Sequence, residues 1–416
     1  MGPPNSRRSS VVELEYMLQN HFPQFNHIVH DGSLPLPAYI KDIDWNGIVL
    51  GSTFLCKCIH PNEFKKTLID YAWIKNSSAI KIALPQDDYD CSQILDNWMT
   101  DWNIDLLFSV LTNNLDVIYP KYSKVGKIRL AYTGYISKKW ILKWKKVKAH
   151  NQRSIDVSYR ASDLPENFGK IGKLKSLIAT RFLNSVKHKN LILDISTRNE
   201  DLIPGDKWHD FLEDSKFCLA TPSGSSLLDP TGEYRKNVYK YKLKNPFATF
   251  EEVENACFFS KDGKYEFTAI SPRNIEAALA QTVQIATPGN YSNIMNPVEH
   301  YIPLNEDCSN IDEVVRMMND SILIHEIKKN LKEKIINTPD LYLNNFASKI
   351  IDFIKDNTHS TNQLNDNDKL INKYRNEFDV ISERYWKNFY FKNKIKKTLK
   401  KMGAKKIKTF FQRIAN

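Results

Sequence analysis

No apolar run in this chain approaches the ~20 residues a membrane-spanning helix needs, and no N-terminal signal peptide is visible. The opening MGPPNS formally fits a myristoylation pattern, but Pro3 directly after Gly2 points to an ordinary or truncated start. Cysteine is sparse. Cys56, Cys58, Cys91, Cys218, Cys257 and Cys308 form neither a zinc spacing nor a dense framework, which reads as thiols in a reducing cytosol. No internal repeat is strong enough to use. Acidic residues are missing altogether from residues 384–416, which hold twelve Lys or Arg. The formal net charge is +11, so subtracting this +12 leaves residues 1–383 at −1. A near-neutral body with a basic tail argues against a nucleic-acid cleft across the folded core.

What is present suits a globular protein of two or three domains: 416 residues, 42% hydrophobic and 12% aromatic. NGIVLGSTF, AIKIALPQDD, NIDLLFSVLT and IRLAYTGYI read as strands, with helical segments between the first three. This βα alternation predicts an open, mostly parallel sheet. After the basic stretch SKKWILKWKKVKAHNQR the pattern starts again. SIDVSYRA, NLILDIST and KFCLATPSGSS read as strands, the last running into a turn, with helices at GKIGKLKSLIATRFLNSV and WHDFLEDS. YEFTAI and TVQIAT are two more strands, separated by a short polar turn and an apolar helix. The expected class is α/β: two Rossmann-like domains facing a cleft, with a C-terminal helical extension. The expected boundaries are 1–148, 149–320, packing helices over 321–356, a polar linker and helix over 357–383, and the tail over 384–416.

The unusual polar residues cluster just beyond the carboxyl ends of the expected strands, where α/β sheets bind ligands. Asp87 and Asp88 follow IKIALP, Arg160 follows IDVSY, Ser223, Gly224 and Ser225 follow FCLATP, and Arg273 and Asn274 follow TAISP. Arginines, a Gly-Ser turn and a carboxylate at helix starts suit a diphosphate and a ribose. Arg273 and Glu276, three apart at a helix mouth, lie on one face. Each feature also has a plain reading. The helix could be a capped surface helix with an ion pair, the Gly-Ser stretch a tight turn, Arg160 an anchor for the linker, and the Asp pair a helix cap.

These stretches resemble the GT-B glycosyltransferases, and among them the bacterial surface-polysaccharide enzymes with a glycosyltransferase-group-1-like C-terminal domain. The resemblance is carried by QDDY (86–89), DVSYRASDLPENFGKIGKLK (156–175), DIS (194–196), GDKWHDFL (205–212), TPSGSSLLDPTGEYR (221–235) and, at greatest length, residues 271–314. It implies that Arg273 meets a donor diphosphate and Glu276 the ribose hydroxyls, with Arg160, Ser223, Gly224, Ser225 and Asn274 on the same wall. It implies a nucleotide sugar as substrate, no cofactor and no metal. The second domain has no Asp-x-Asp pair to hold a metal on a diphosphate. If the reaction inverts, Asp87 or Asp88 is the best candidate base, ahead of His60 and His30. The sequence departs from the family at its start, where no apolar strand precedes the helix of SRRSSVVELEYML.

In the tail, Ile395, Leu399 and Met402, then Ile407, Phe410, Phe411 and Ile414, recur at helical spacing among lysines. That pattern fits a basic amphipathic helix on an anionic membrane. Packing on a partner and binding single-stranded nucleic acid are the other readings, in that order. The leading functional expectation is a metal-independent transferase moving sugar onto a glycan or lipid-linked glycan acceptor of lipopolysaccharide or capsule type. It would work in the cytoplasm, peripherally on the inner face of the membrane. The alternative is a non-catalytic nucleotide-sugar or glycan-binding protein of the same fold.

Overall fold

A computed structural model describes residues 9–203, 205, 207–358, 367–378, 380–391 and 394. The strands, in chain order, are β1 (Gly47–Leu50), β2 (Ile80–Ala83), β3 (Leu106–Ser109), β4 (Lys127–Leu130), β5 (Ile155–Arg160), β6 (Leu193–Ser196), β7 (Ser215–Ala220), β8 (Ser223–Ser225), β9 (Phe267–Ala269), β10 (Val283–Ala286) and β11 (Ile302–Pro303). The helices that matter below are α1 (Gly169–Ser185), α2 (Lys207–Glu213), α3 (Glu233–Lys244), α4 (Phe250–Cys257), α5 (Pro272–Leu279), α6 (Ile311–Met318), α7 (Ser321–Ile336) and α8 (Leu343–Asn357).

Two parallel sheets result, ordered β1-β2-β3-β4 and β11-β10-β7-β5-β6. Strands β2 and β3 are buried along their whole length. Parallel sheets covered on both faces demand such continuous apolar runs. Strand β4 closes the first sheet as an exposed edge, and its Lys127 and Arg129 lie over the Phe353 ring of α8. One face of the second sheet packs Val157, Phe217 and Ile285 against Ile178 and Phe182 of α1 and Val314 of α6. The other face meets α5, Leu331 and Ile335 of α7, and Trp140 and Trp144. From β5 the chain adds β6 on one side and β7 on the other, so the strand order reverses beside β5. Such a reversal opens a crevice beyond the carboxyl ends of the two strands.

The lobes carrying the two sheets belong to one compact unit, Trp45–His359 with Arg8–Met17, and the chain stitches them together. Residues 89–93 run alongside 229–230, with Asp229 N donating to Tyr89 O at 3.0 Å and Cys91 N to Asp229 O at 2.7 Å. Asn290 Nδ2 donates to Thr112 Oγ1 at 2.8 Å.

Leu18–Asp44 groups with the described residues from 367 onward as a second compact unit. There Tyr39 OH donates to Glu377 Oε2 at 2.6 Å, and His30 Nδ1 bonds Tyr374 OH at 2.8 Å. Residues 367–378 and 380–391 are helical. The tail positions from Ile395 to Ile414 lie outside the described residues. No described helix is long and apolar enough to cross a membrane.

The Gly-Ser stretch is not a turn. Ser223, Gly224 and Ser225 form β8, which pairs antiparallel with β9.

Candidate functional site

A small void between the second sheet, α2 and α5 is lined by Tyr159, Arg160, Ala220, Trp208 and Phe211 of α2, and Arg273 of α5. Ser271 caps α5 together with Asn274, whose Oδ1 accepts from Ser271 N at 2.9 Å and Ser271 Oγ at 2.8 Å. Asn274 Nδ2 donates to Gln284 Oε1 at 2.6 Å, and the residue is buried. It sets the helix start and does not line the donor wall. Beyond this cap, Arg273 and Glu276 do share a face. Both meet Trp208: the Arg273 guanidinium lies 5.7 Å from its ring centre, and its indole N–H donates to Glu276 Oε2 at 2.7 Å.

Arg160 is held inside the protein. Its Nε donates to Asp201 O (3.0 Å), Nη1 to Tyr159 O and Asp194 O (both 2.9 Å), and Nη2 to Asp194 Oδ1 (2.7 Å). The guanidinium lies over Phe211, 4.7 Å from the ring centre. Arg160 thus ties β5 to β6, and its own carbonyl receives Arg273 Nη1. Ser225 is likewise internal: its Oγ donates to Leu227 O at 2.9 Å.

A further cation near Arg273 is Lys175, on α1. Its Nζ donates to Ser223 Oγ at 3.1 Å. Burial and then the nearby Arg273 charge push its pKa down from 10.5 to about 8, against an opposing pull from Asp87. Neither Lys175 nor Arg273 has an ion-pair partner among the described residues. Other lysines of α1 do: Lys173 pairs with Asp163 at 2.9 Å and Lys170 with Glu254 at 3.7 Å. Lys175 escaped notice in the sequence although a signal existed. It sits among Ile171, Leu174, Ile178 and Phe182, on the apolar face of its helix, where a lysine is out of place.

The N-terminus of α1 is already occupied. Lys170 N donates to Asp262 Oδ2 at 2.9 Å and Ile171 N to Ser226 Oγ at 3.2 Å. A negative group of the protein stands where a helix dipole would hold an anion.

From the first lobe, Asp87 is exposed and accepts from Tyr89 OH at 2.8 Å. Tyr89 reaches into the second lobe, stacked on Phe267 at 6.0 Å and edge-on to Phe168 at 6.1 Å. Asp87 therefore belongs to the electrostatic surroundings of both Lys175 and Arg235. Asp88 does not face the cleft. It is fully buried in the first lobe, accepts from Ser109 Oγ at 2.5 Å, and burial pushes its pKa up to about 7. The two lie in a tight turn closed by Asp90 N donating to Asp87 O at 3.0 Å, which sends one of the adjacent aspartates outward and the other in.

Solved glycosyltransferases of the GT-B fold are similar to this chain. TarM is 12% identical with a TM-score of 0.40, over 68% of this chain and 52% of that one. T4 phage BGT, in complex with its UDP-glucose substrate, is 12% identical with a TM-score of 0.42, over 85% and 94%. Anabaena HepE, in complex with UDP-glucose, is 9% identical with a TM-score of 0.36, over 70% and 77%. The chain thus spans about half the length of TarM. The likeness is one of fold and assigns no residue a role. No protein-family model matches the sequence, and no curated protein does.

Proposed function

We propose that the protein transfers a sugar from a nucleoside-diphosphate sugar to a hydroxyl acceptor. One observation carries this reading: Lys175 and Arg273 are partly buried, the Arg273 charge helps depress the Lys175 pKa, and neither has an ion-pair partner among the described residues. Two such cations repel until a multivalent anion joins them, and a diphosphate is such an anion. In transfer, the acceptor oxygen attacks the anomeric carbon and the bond from that carbon to the β-phosphate oxygen breaks. Lys175 and Arg273 then stabilise the charge that develops on the departing diphosphate. For inversion, Asp87 takes the acceptor's proton from the opposite lobe. Glu276 is suited to the ribose, once its carboxylate is shared between Trp208 and a hydroxyl. Cations at the diphosphate leave no step that calls for a resident metal. For the acceptor we favour a surface glycan, lipid-linked, reached through contact of residues 384–416 with an anionic membrane. The charge of that segment supports this.

A thermal-shift panel of nucleoside diphosphates and their sugars tests the reading, because a ligand bound only by the folded state raises its melting temperature. At least one should stabilise the protein, and Lys175→Ala should remove that shift without lowering the unliganded melting temperature. Absence of a shift with every member would reject the site. A shift with neither transfer nor donor hydrolysis would make the protein a binding module.

A further inference from the structure

We infer that the α3–α4 hairpin is a membrane-docking element, with an anionic lipid surface as its partner. Helix α3 has two faces. One side packs Val238, with Leu227, Val253 and Phe258, into a small core that fixes the hairpin to the second lobe. The other side exposes Lys236, Tyr239, Lys240, Leu243 and Lys244, and Phe247 continues it past the helix end. These positions recur at three- and four-residue spacing, so they form one stripe. Tyr239 is 66% exposed, Leu243 67% and Phe247 97%.

The apolar tip is built rather than loose. Ala248 N donates to Asn245 O at 3.1 Å, and Lys242 Nζ donates to Ala248 O at 3.1 Å. Thr249 and Glu252 then close a capping box that starts α4. Phe247 is therefore presented to solvent by a fixed turn. Monomeric proteins rarely expose contiguous large apolar side chains without a partner.

Charge selects the partner. Lys236, Lys240 and Lys244 have no ion pair among the described residues, whereas Lys242, turned inward, pairs with Glu166 at 3.1 Å. Three unpaired lysines interleaved with aromatic and aliphatic side chains match an anionic headgroup layer over acyl chains. Glu251 and Glu252, in the first turn of α4, are the acidic groups beside the tip. The inference is independent of the sugar-transfer reading and of residues 384–416.

The test is co-sedimentation of the full chain with phosphatidylcholine vesicles, with and without phosphatidylglycerol. Wild type should bind the anionic vesicles in preference. Leu243→Glu with Phe247→Glu should lower partitioning by about tenfold or more, and the triple change of Lys236, Lys240 and Lys244 to Gln should abolish most of the salt-sensitive part. Unchanged melting temperatures and nucleotide shifts are expected in both variants, since every altered side chain is exposed. Wild-type binding by the double-Glu variant would overturn the inference and leave vesicle binding to residues 384–416. So would loss of self-association, or of oligonucleotide binding, with vesicle binding intact.

Discussion

Lys175 carries the proposed anion site. A half-buried lysine beside an arginine is poorly stabilised while it is charged, which is why its pKa falls to about 8. An anion bound between the two cations favours the charged form and raises that pKa, so binding takes up a proton above pH 8. The sign follows directly. Nucleoside-diphosphate affinity should be flat below about pH 8 and fall by roughly tenfold per unit above it, until the pKa of the bound state is reached. Calorimetric titration from pH 7 to pH 10 reads this profile. Lys175→Gln should bind more weakly and lose the break near 8, and a break retained in that variant would assign it to another group. Asp88 presents the opposite case. Its charge is suppressed by burial, against the opposing effect of the hydrogen bond from Ser109, and it lies inside the first lobe, where sequence adjacency to Asp87 gave no warning.

At the scale of elements, the β8–β9 ribbon matters most. Gly224 has φ +150°, and a Cβ there would stand 1.8 Å from Phe267 O. Strand β8 can therefore lie against β9 only with glycine at this position. Gly224→Ala should destabilise the fold by about 2–4 kcal/mol, through backbone strain and loss of the ladder. It should also weaken the nucleotide-induced shift, because Ser223 then no longer holds Lys175. Chemical denaturation compared with Ser223→Ala separates the two effects. The serine change should leave stability within about 0.5 kcal/mol of wild type, since its hydroxyl lies at the partly open edge of the ribbon. The tight turn expected from the Gly-Ser composition was a reasonable local reading. Only pairing with a strand more than forty residues further on turns it into a ribbon.

At the scale of the whole molecule, the first lobe's Asp87 is positioned by the second. Tyr89 crosses over, lodges against Phe168 and Phe267, and holds Asp87 with its hydroxyl. Next to it, Asp90 pairs with Arg235 at the start of α3. Tyr89→Phe keeps the ring contacts and removes the bond to Asp87. Turnover should fall by about tenfold while nucleotide affinity stays within twofold, because orientation of the base is lost and the phosphate site is untouched. Equal loss of both would mean that Tyr89 acts by holding the lobes together.

The sequence by itself determined the two parallel α/β sheets, since continuous apolar strands alternating with amphipathic helices have few other ways to bury themselves. It also placed Arg273 and Glu276 on one helix face, because a spacing of three is a local property. It assigned every polar residue near a strand end to the site, and there it could not discriminate. Arg160 ends β5, Ser225 lies in β8 and Asn274 lies in the first turn of α5, and their donors and acceptors are taken by Asp194 and Asp201, by Leu227, and by Ser271 and Gln284. Lys175 was legible only as a lysine on the apolar face of its helix; that it lacks the ion pair that Lys170 and Lys173 make is seen only in three dimensions, among the described residues. Which polar group is already satisfied depends on partners tens of residues away, so tertiary structure alone decided which of them remain for a ligand.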